Sequence, residues 1–246
     1  MEKQVRSDLK INGTGNTSGG KFNDVVINGV GNIDGDIECV SFKSNGVSNI
    51  KGNMKARSAK VNGSSSMKGD INSDEFKING TAEIHGNIRS KDSRVHGALK
   101  VTGNITSDIV DLHGGLNVSG DCNAEDFSSN GGFSVVGLLN ADRINIKLHG
   151  PCSAKEIGGE NIVVKLGNEF AIKKFIKSIF PSWNLGKRLT SDIIEGDDIE
   201  LEGTKAKIVR GNNIIIGEGC EIDLVEYRKS YNLQSKNSTV KENKKI

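Results

Sequence analysis

The chain has 246 residues and a formal net charge of +2; 35% are apolar, 4% aromatic and 26% charged, and 31 are glycine against 2 proline. Glycine at about one residue in eight, with asparagine nearly as common, exceeds the roughly 7% of ordinary chains, and so few aromatics leave small and branched aliphatic side chains to build any core. No run approaches the roughly 18–20 apolar residues of a membrane-spanning helix, and so small a net charge gives no global case for nucleic acid.

The opening stretch, Met1 to Asp8, has no apolar run of the secretory kind, so a cytoplasmic product is expected. Cys39, Cys122, Cys152 and Cys220 stand far apart with no Cys-x-x-Cys pair. Free thiols fit that spacing better than a zinc cage or a disulfide framework.

A first, irregular unit surrounds Leu9, Ile11, Gly13 and Gly19, and a 17-residue repeat then takes over. Glycines fall at Gly29, Gly46, Gly63, Gly80, Gly97, Gly114 and Gly131, and a second series keeps step from Gly35 to Gly137. The columns between them are regular. Two residues before the first glycine stand Ile27, Ser44, Val61, Ile78, Val95, Leu112 and Ser129; four after it stand Ile33, Ile50, Met67, Ile84, Val101, Val118 and Val135. Eight after it come Ile37, Met54, Ile71, Ile88, Ile105, Cys122 and Leu139, and ten after it every occupant is small, from Cys39 and Ala56 to Ala141.

Apolar and polar residues alternate with period two, the mark of strands with one buried face. Each unit reads as three short strands broken by corners. Asn or His precedes the first glycine, and Asp or Asn usually follows the second, residues that tolerate the left-handed backbone of tight corners. A fixed period of short strands implies an all-β fold, a parallel β-helix. Its coils stack about 4.8 Å apart, so each column becomes a ladder of like side chains, and each coil closes the apolar side of the last. The pattern continues through Ile144, Ile146, Cys152, Ile162, Val164 and Leu166, giving about nine coils over residues 8–167.

Residues 168–188 break the repeat. Ile172, Phe175, Ile176, Ile179 and Phe180 fall at helical spacing, with Lys173, Lys174 and Lys177 on the other side, Pro181 as a stop and Trp183 beside it. A short helical insertion is expected. Two roles fit Phe170, Ile172, Phe175, Ile176, Ile179, Phe180 and Trp183: contact with an anionic membrane surface, or a lid laid over the β-helix core. From 189 to 227 short apolar pairs return, Ile199/Leu201, Ala206/Ile208, Ile214/Ile216 and Ile222/Leu224, as wider coils or a small sheet packed on the stack. Residues 228–246, polar and lysine-rich, read as a disordered basic tail.

The repeated unit, as in Ile27-Asn28-Gly29 through Gly35-Asp36-Ile37, resembles the bactofilins, bacterial polymer-forming cytoskeletal proteins. The segment Ile194 to Glu202, with Val209-Arg210-Gly211-Asn212-Asn213 and Gly217 to Ile222, looks like the C-terminal part of the longer Firmicute members. The resemblance implies a right-handed β-helix that polymerises end to end, without nucleotide, into non-polar filaments. It also implies scaffolding of cell-envelope or motility proteins at the inner face of the cell membrane. The expected partners are other copies of the chain, the membrane surface through residues 168–188, and such clients. Nucleic acid and nucleotide are not among them.

Polymerisation has a physical basis too, since both ends of a β-helix show unpaired strand edges and a slice of core. The candidate joint residues are Val5, Leu9 and Ile11 at one end and Leu224, Val225 and Tyr227 at the other. A second candidate surface is the stacked row Lys43, Lys60, Lys77 and Arg94, an anion-binding ladder or a solvated face relieved by Asp74, Glu75 and Asp92. Lys51, Lys68 and His85 make a shorter row. His96 and His113 fall in the slot filled elsewhere by Asn28, Asn45, Asn62, Asn79 and Asn130. A hydrogen-bonding corner ladder accounts for them without zinc, whose closed sites take four ligands, and no cysteine shares the slot; no metal and no cofactor are expected.

Enzyme readings are weaker. Gly29 to Gly35 is six residues, as in hexapeptide-repeat acyltransferases, but the next gap is eleven. Acids are scattered over corners rather than clustered, and no GxxxxGK[ST] loop occurs. The expectation is a non-enzymatic scaffold. The alternatives are a β-helix enzyme acting on carbohydrate or acyl groups, and a monomer binding an anion on its basic ladder.

Overall fold

The structure is a computed structural model that describes residues 6–167 and 186–246. Among the described residues there are nineteen strands, every pairing is parallel, and there is no helix, hence none long and apolar enough to cross a membrane. The strands wind into a β-solenoid of about 13 turns. At the usual strand spacing the stack is roughly 60 Å tall.

The 17-residue period is the hydrogen-bond register itself. Ile37 pairs with Met54, Met54 with Ile71, Ile71 with Ile88, Ile88 with Ile105, Ile105 with Cys122 and Cys122 with Leu139. All seven point inward and are at most 2% exposed. A second inward column alternates bulk, with Phe42, Ala59, Phe76 and Ser93 on successive rungs. Large and small side chains thereby interdigitate across the stack, as a close-packed interior requires. Phe127 and Phe133 meet edge-on inside the solenoid, ring centres 5.3 Å apart.

Glycine is needed at the corners for two different reasons. At Gly35 the backbone turns through φ +118°, which side-chain-bearing residues rarely adopt. At Gly63 the constraint is close approach, because a Cβ there would lie 2.0 Å from the carbonyl oxygen of Gly46 one rung below.

Beyond residue 167 the stack continues. Leu189–Leu201 pairs directly with Cys152–Leu166, then Thr204–Ile216 and Glu221–Leu233 follow. Residues 189–227 are therefore further coils, not a separate sheet. They are narrower than the rest, not wider: Glu195 pairs with Arg210, a step of 15 residues. Each of these coils runs as one 13-residue strand, with Gly196 paired in register with Gly211.

The region 228–246, expected to be a disordered tail, instead carries the end of Glu221–Leu233 and one more strand, Thr239–Lys245, paired with Glu221–Tyr227. Composition misses this because the strand offers only one inward apolar residue, Val240. Its order comes from backbone bonding, such as Thr239 N–H to the Cys220 carbonyl at 2.8 Å and Ile246 N–H to the Tyr227 carbonyl at 3.0 Å.

The expected helix lies outside the described residues, as do Phe170, Ile172, Phe175, Ile176, Ile179, Phe180 and Trp183. The strands on either side of that segment bond to one another. Residues 167 and 186, which border it, thus belong to adjoining rungs within the stack rather than to an end.

Candidate functional site

The two ends of the solenoid differ in chemistry. At the N-terminal end Leu9 pairs with Val25 and Ile11 with Ile27, both pointing inward. The strand Ser7–Ile11 bonds to Thr14–Ile27 and to no other described strand, so its far edge is unpaired among the described residues. Leu9 and Phe22 are only partly buried against the core. Arg6 spans rungs to reach Glu38 at 2.6 Å, where Lys21 also sits at 3.0 Å. The bonds from Lys21 and then Arg6 hold the Glu38 carboxyl below its ordinary range. Val5 lies outside the described residues.

The C-terminal end is more highly charged, although Leu233 and Ile246 are 43% and 48% exposed there. Leu224, Val225 and Tyr227 do not lie on the last rung, because Thr239–Lys245 stacks above them and pairs Val225 with Asn243 and Tyr227 with Lys245. Val225 is fully buried as a result. The last rung shows Lys241, Glu242, Lys244 and Lys245 beside the half-buried Val240, and Lys241 is paired with Asp223 at 2.7 Å. Below it Tyr227 and Tyr231 stack with ring centres 5.5 Å apart. Only a polar residue pattern with a backbone ladder could have signalled this rung, and that pattern is also the pattern of a tail.

Along the flank, side chains form ladders. The amides of Asn28, Asn45, Asn62 and Asn79 each donate to the corner asparagine one rung below, at 2.7–2.8 Å. In the neighbouring outward row Lys43, Lys60, Lys77 and Arg94 are in direct register. Arg94 gives two bonds to Asp92, at 3.0 and 2.6 Å. Asp74 is engaged by Lys91 at 3.0 Å, and Glu75 accepts from Ser58 at 3.3 Å. Among the described residues Lys43, Lys60 and Lys77 have no ion pair, so of the three acids expected to relieve the row only Asp92 reaches it. In the shorter row Lys51 lies 3.9 Å from Asp34, and His85 lies 3.7 Å from Glu83.

The corner changes at His96 and His113. Their rings meet edge-on, centres 5.4 Å apart and planes at 69°. Asp111 lies beside them, its Oδ1 3.3 Å from His113 Nδ1. Burial first, then the charges of Lys77 and His113, holds the His96 imidazole below its ordinary value. The sequence reading sought another ligand in the histidine slot and so passed over Asp111, which belongs to the basic row.

A groove of about 410 Å³ on another flank is lined by Glu156, Glu160, Glu195 and Asp197, with Arg210 and Arg228 among them. Arg210 binds Glu195 at 3.2 Å and Glu226 at 2.7 Å. The groove thus mixes charges of both signs.

The family model described as Bactofilin, polymer-forming cytoskeletal, matches residues 2–89 and 49–140. Among curated proteins, the chain is 40% identical over 94 residues to the uncharacterized protein YhbE of Bacillus subtilis (strain 168), a match covering 37% of this chain and 36% of that one. It is 42% identical over 79 residues to the uncharacterized protein YhbF of the same organism, covering 32% and 29% respectively. The matches thus span about a third of the length of these relatives. No solved structure matches the chain.

Proposed function

Since the chain belongs to the bactofilin family of polymer-forming cytoskeletal proteins, we propose that it acts as a non-enzymatic scaffold and assembles through the ends of its solenoid, without nucleotide. The observation that carries this reading is the N-terminal rung, where a strand edge unpaired among the described residues lies next to a partly exposed slice of core at Leu9 and Phe22. Such an edge is a template for another chain. Negative-stain microscopy of purified protein without nucleotide or metal tests it. Filaments are expected for the wild type, and Leu9→Arg should abolish them while leaving the β-rich spectrum intact. Single particles for the wild type at every concentration would sink the reading.

The polar C-terminal rung bears on the second joint. Val240→Arg and Leu233→Arg together test whether that end takes part, and filaments unaltered by both restrict the apolar contact to the N-terminal end. Proximity to the membrane, with recruitment of cell-envelope or motility proteins, rests on the Phe, Ile, Trp and Lys pattern of residues 168–188 and on the family resemblance. Co-sedimentation with anionic vesicles should be lost in Phe175→Glu and Ile176→Glu with melting unchanged. Unchanged co-sedimentation removes the membrane from the proposal.

A second reading has one observation in its favour: Lys43, Lys60 and Lys77 stack in register without an ion pair among the described residues. In it the chain is a monomer whose flank binds a linear anion. Sedimentation at one size over all concentrations, with salt-sensitive binding of a polyanion lost in Lys60→Glu, would favour it over the scaffold.

A further inference from the structure

We propose that His96, Asp111 and His113 form a binding site for a divalent transition-metal ion, zinc foremost, on one corner of the solenoid. Below the site the corner is a run of asparagines, each amide bonded to the carbonyl of the previous one. An imidazole has no carbonyl and cannot extend that ladder. His96 and His113 turn edge-on instead, which brings ring nitrogens of adjacent rungs toward one another. On the same rung as His113 the basic row reverses sign, because Asp111 pairs in register with Arg94.

One donor atom from each of the three side chains lies within 4.8 Å of the other two, and His113 Nδ1 and Asp111 Oδ1 are 3.3 Å apart. Zinc holds imidazole nitrogen and carboxylate oxygen at roughly 2.0–2.2 Å, so binding would draw the three donors together from this spacing. The Asp111 and His113 side chains are 31% and 46% exposed, so an ion reaches them from solvent. Two imidazoles and one carboxylate suit zinc and the neighbouring first-row ions, whereas calcium and magnesium take oxygen ligands. Three protein ligands leave a further position for water. Arg94 is held away by its two bonds to Asp92. Lys77 acts on His96 electrostatically and weakens the hold on a cation, so the site holds its ion less tightly than a closed four-ligand site.

The test uses the full chain without a histidine tag, titrated calorimetrically with Zn2+ and spectroscopically with Co2+. One ion per chain is expected, with visible d–d bands for Co2+. His96→Asn, His113→Asn and Asp111→Asn should each weaken binding at least tenfold. Asparagine is the residue that occupies the corner on other rungs, so the two histidine variants retain the fold, and unchanged thermal melts confirm this for all three. His85→Asn, at the histidine 3.7 Å from Glu83, should leave binding unchanged. Absence of binding up to millimolar Zn2+, equal binding in the three variants, or loss of binding in His85→Asn would overturn the proposal.

Discussion

The side-chain amide of Asn62 donates to Oδ1 of Asn45 at 2.7 Å across one full turn of the solenoid, and Asn62 Oδ1 accepts the same bond from Asn79 at 2.7 Å. Each link belongs to a rung already bonded through its backbone, so the ladder locks corner to corner. Asn62→Ala removes both links. Exposed, neutral hydrogen bonds contribute about 0.5–1.5 kcal/mol each, and the expected loss is about 1–2 kcal/mol. A lower urea midpoint with unchanged slope checks it, and an unchanged midpoint would show the ladder to be ornamental.

Gly63→Ala and Gly13→Ala should separate sharply. A Cβ on Gly63 meets the carbonyl oxygens of Gly46 at 2.0 Å and Asn45 at 2.8 Å, whereas one on Gly13 meets nothing within 4 Å. Backbone on the next rung cannot move aside without breaking the register. The Gly63 variant is expected to lose about 3 kcal/mol, the upper range for overpacking, and the Gly13 variant to melt like the wild type. Equal melting temperatures would contradict the close-approach argument.

All four cysteines are buried as free thiols. Burial pushes Cys122 and Cys152 up to about 12 and Cys39 to about 11, and it raises Cys220 as well. Only the thiolate attacks a disulfide reagent. In a thiol assay at mildly alkaline pH the native protein should show no fast phase, and all four should react once guanidinium unfolds it. A fast native thiol would mean that a rung opens locally.

The contribution of Glu38 should fade in acid. Its carboxyl is held below the ordinary 4.5 by Lys21 and Arg6. A carboxyl whose folded value is depressed adds stability above its unfolded value, and that stability is lost as pH falls through the folded one. Glu38→Gln should therefore melt below the wild type at pH 7, and the gap should close as pH drops from about 4.5 downward. A gap that persists in strong acid would assign the effect to packing.

The core from residue 20 to residue 146 was legible because inward residues within it pair at a step of 17, so one column of letters is one column of contacts. Phe42 below Ala59 and Cys122 below Leu139 can be read from spacing alone. Asp111 was legible in the same way, as the acid in a slot held by Lys43, Lys60, Lys77 and Arg94. Its proximity to two imidazoles was not, since that depends on which way side chains lean across a corner. The joint residues at the far end were misplaced for a related reason. Leu224 and Val225 are the last apolar pair in the sequence, but the rung above them is held by backbone bonds that composition does not record.

Periodicity alone determined the solenoid, its inward columns, its glycine corners and the stacked basic row, because a fixed repeat converts sequence separation into register. Tertiary structure decided the rest. It showed that residues 189–227 continue the stack at a step of 15, that Thr239–Lys245 closes it, and that three lysines of the basic row go without an acid among the described residues. Where the repeat changes length, neighbours are chosen by the backbone hydrogen bonds of the adjoining rung. Where charges meet, they are chosen by the reach of side chains across rungs, and neither is written in the order of the residues.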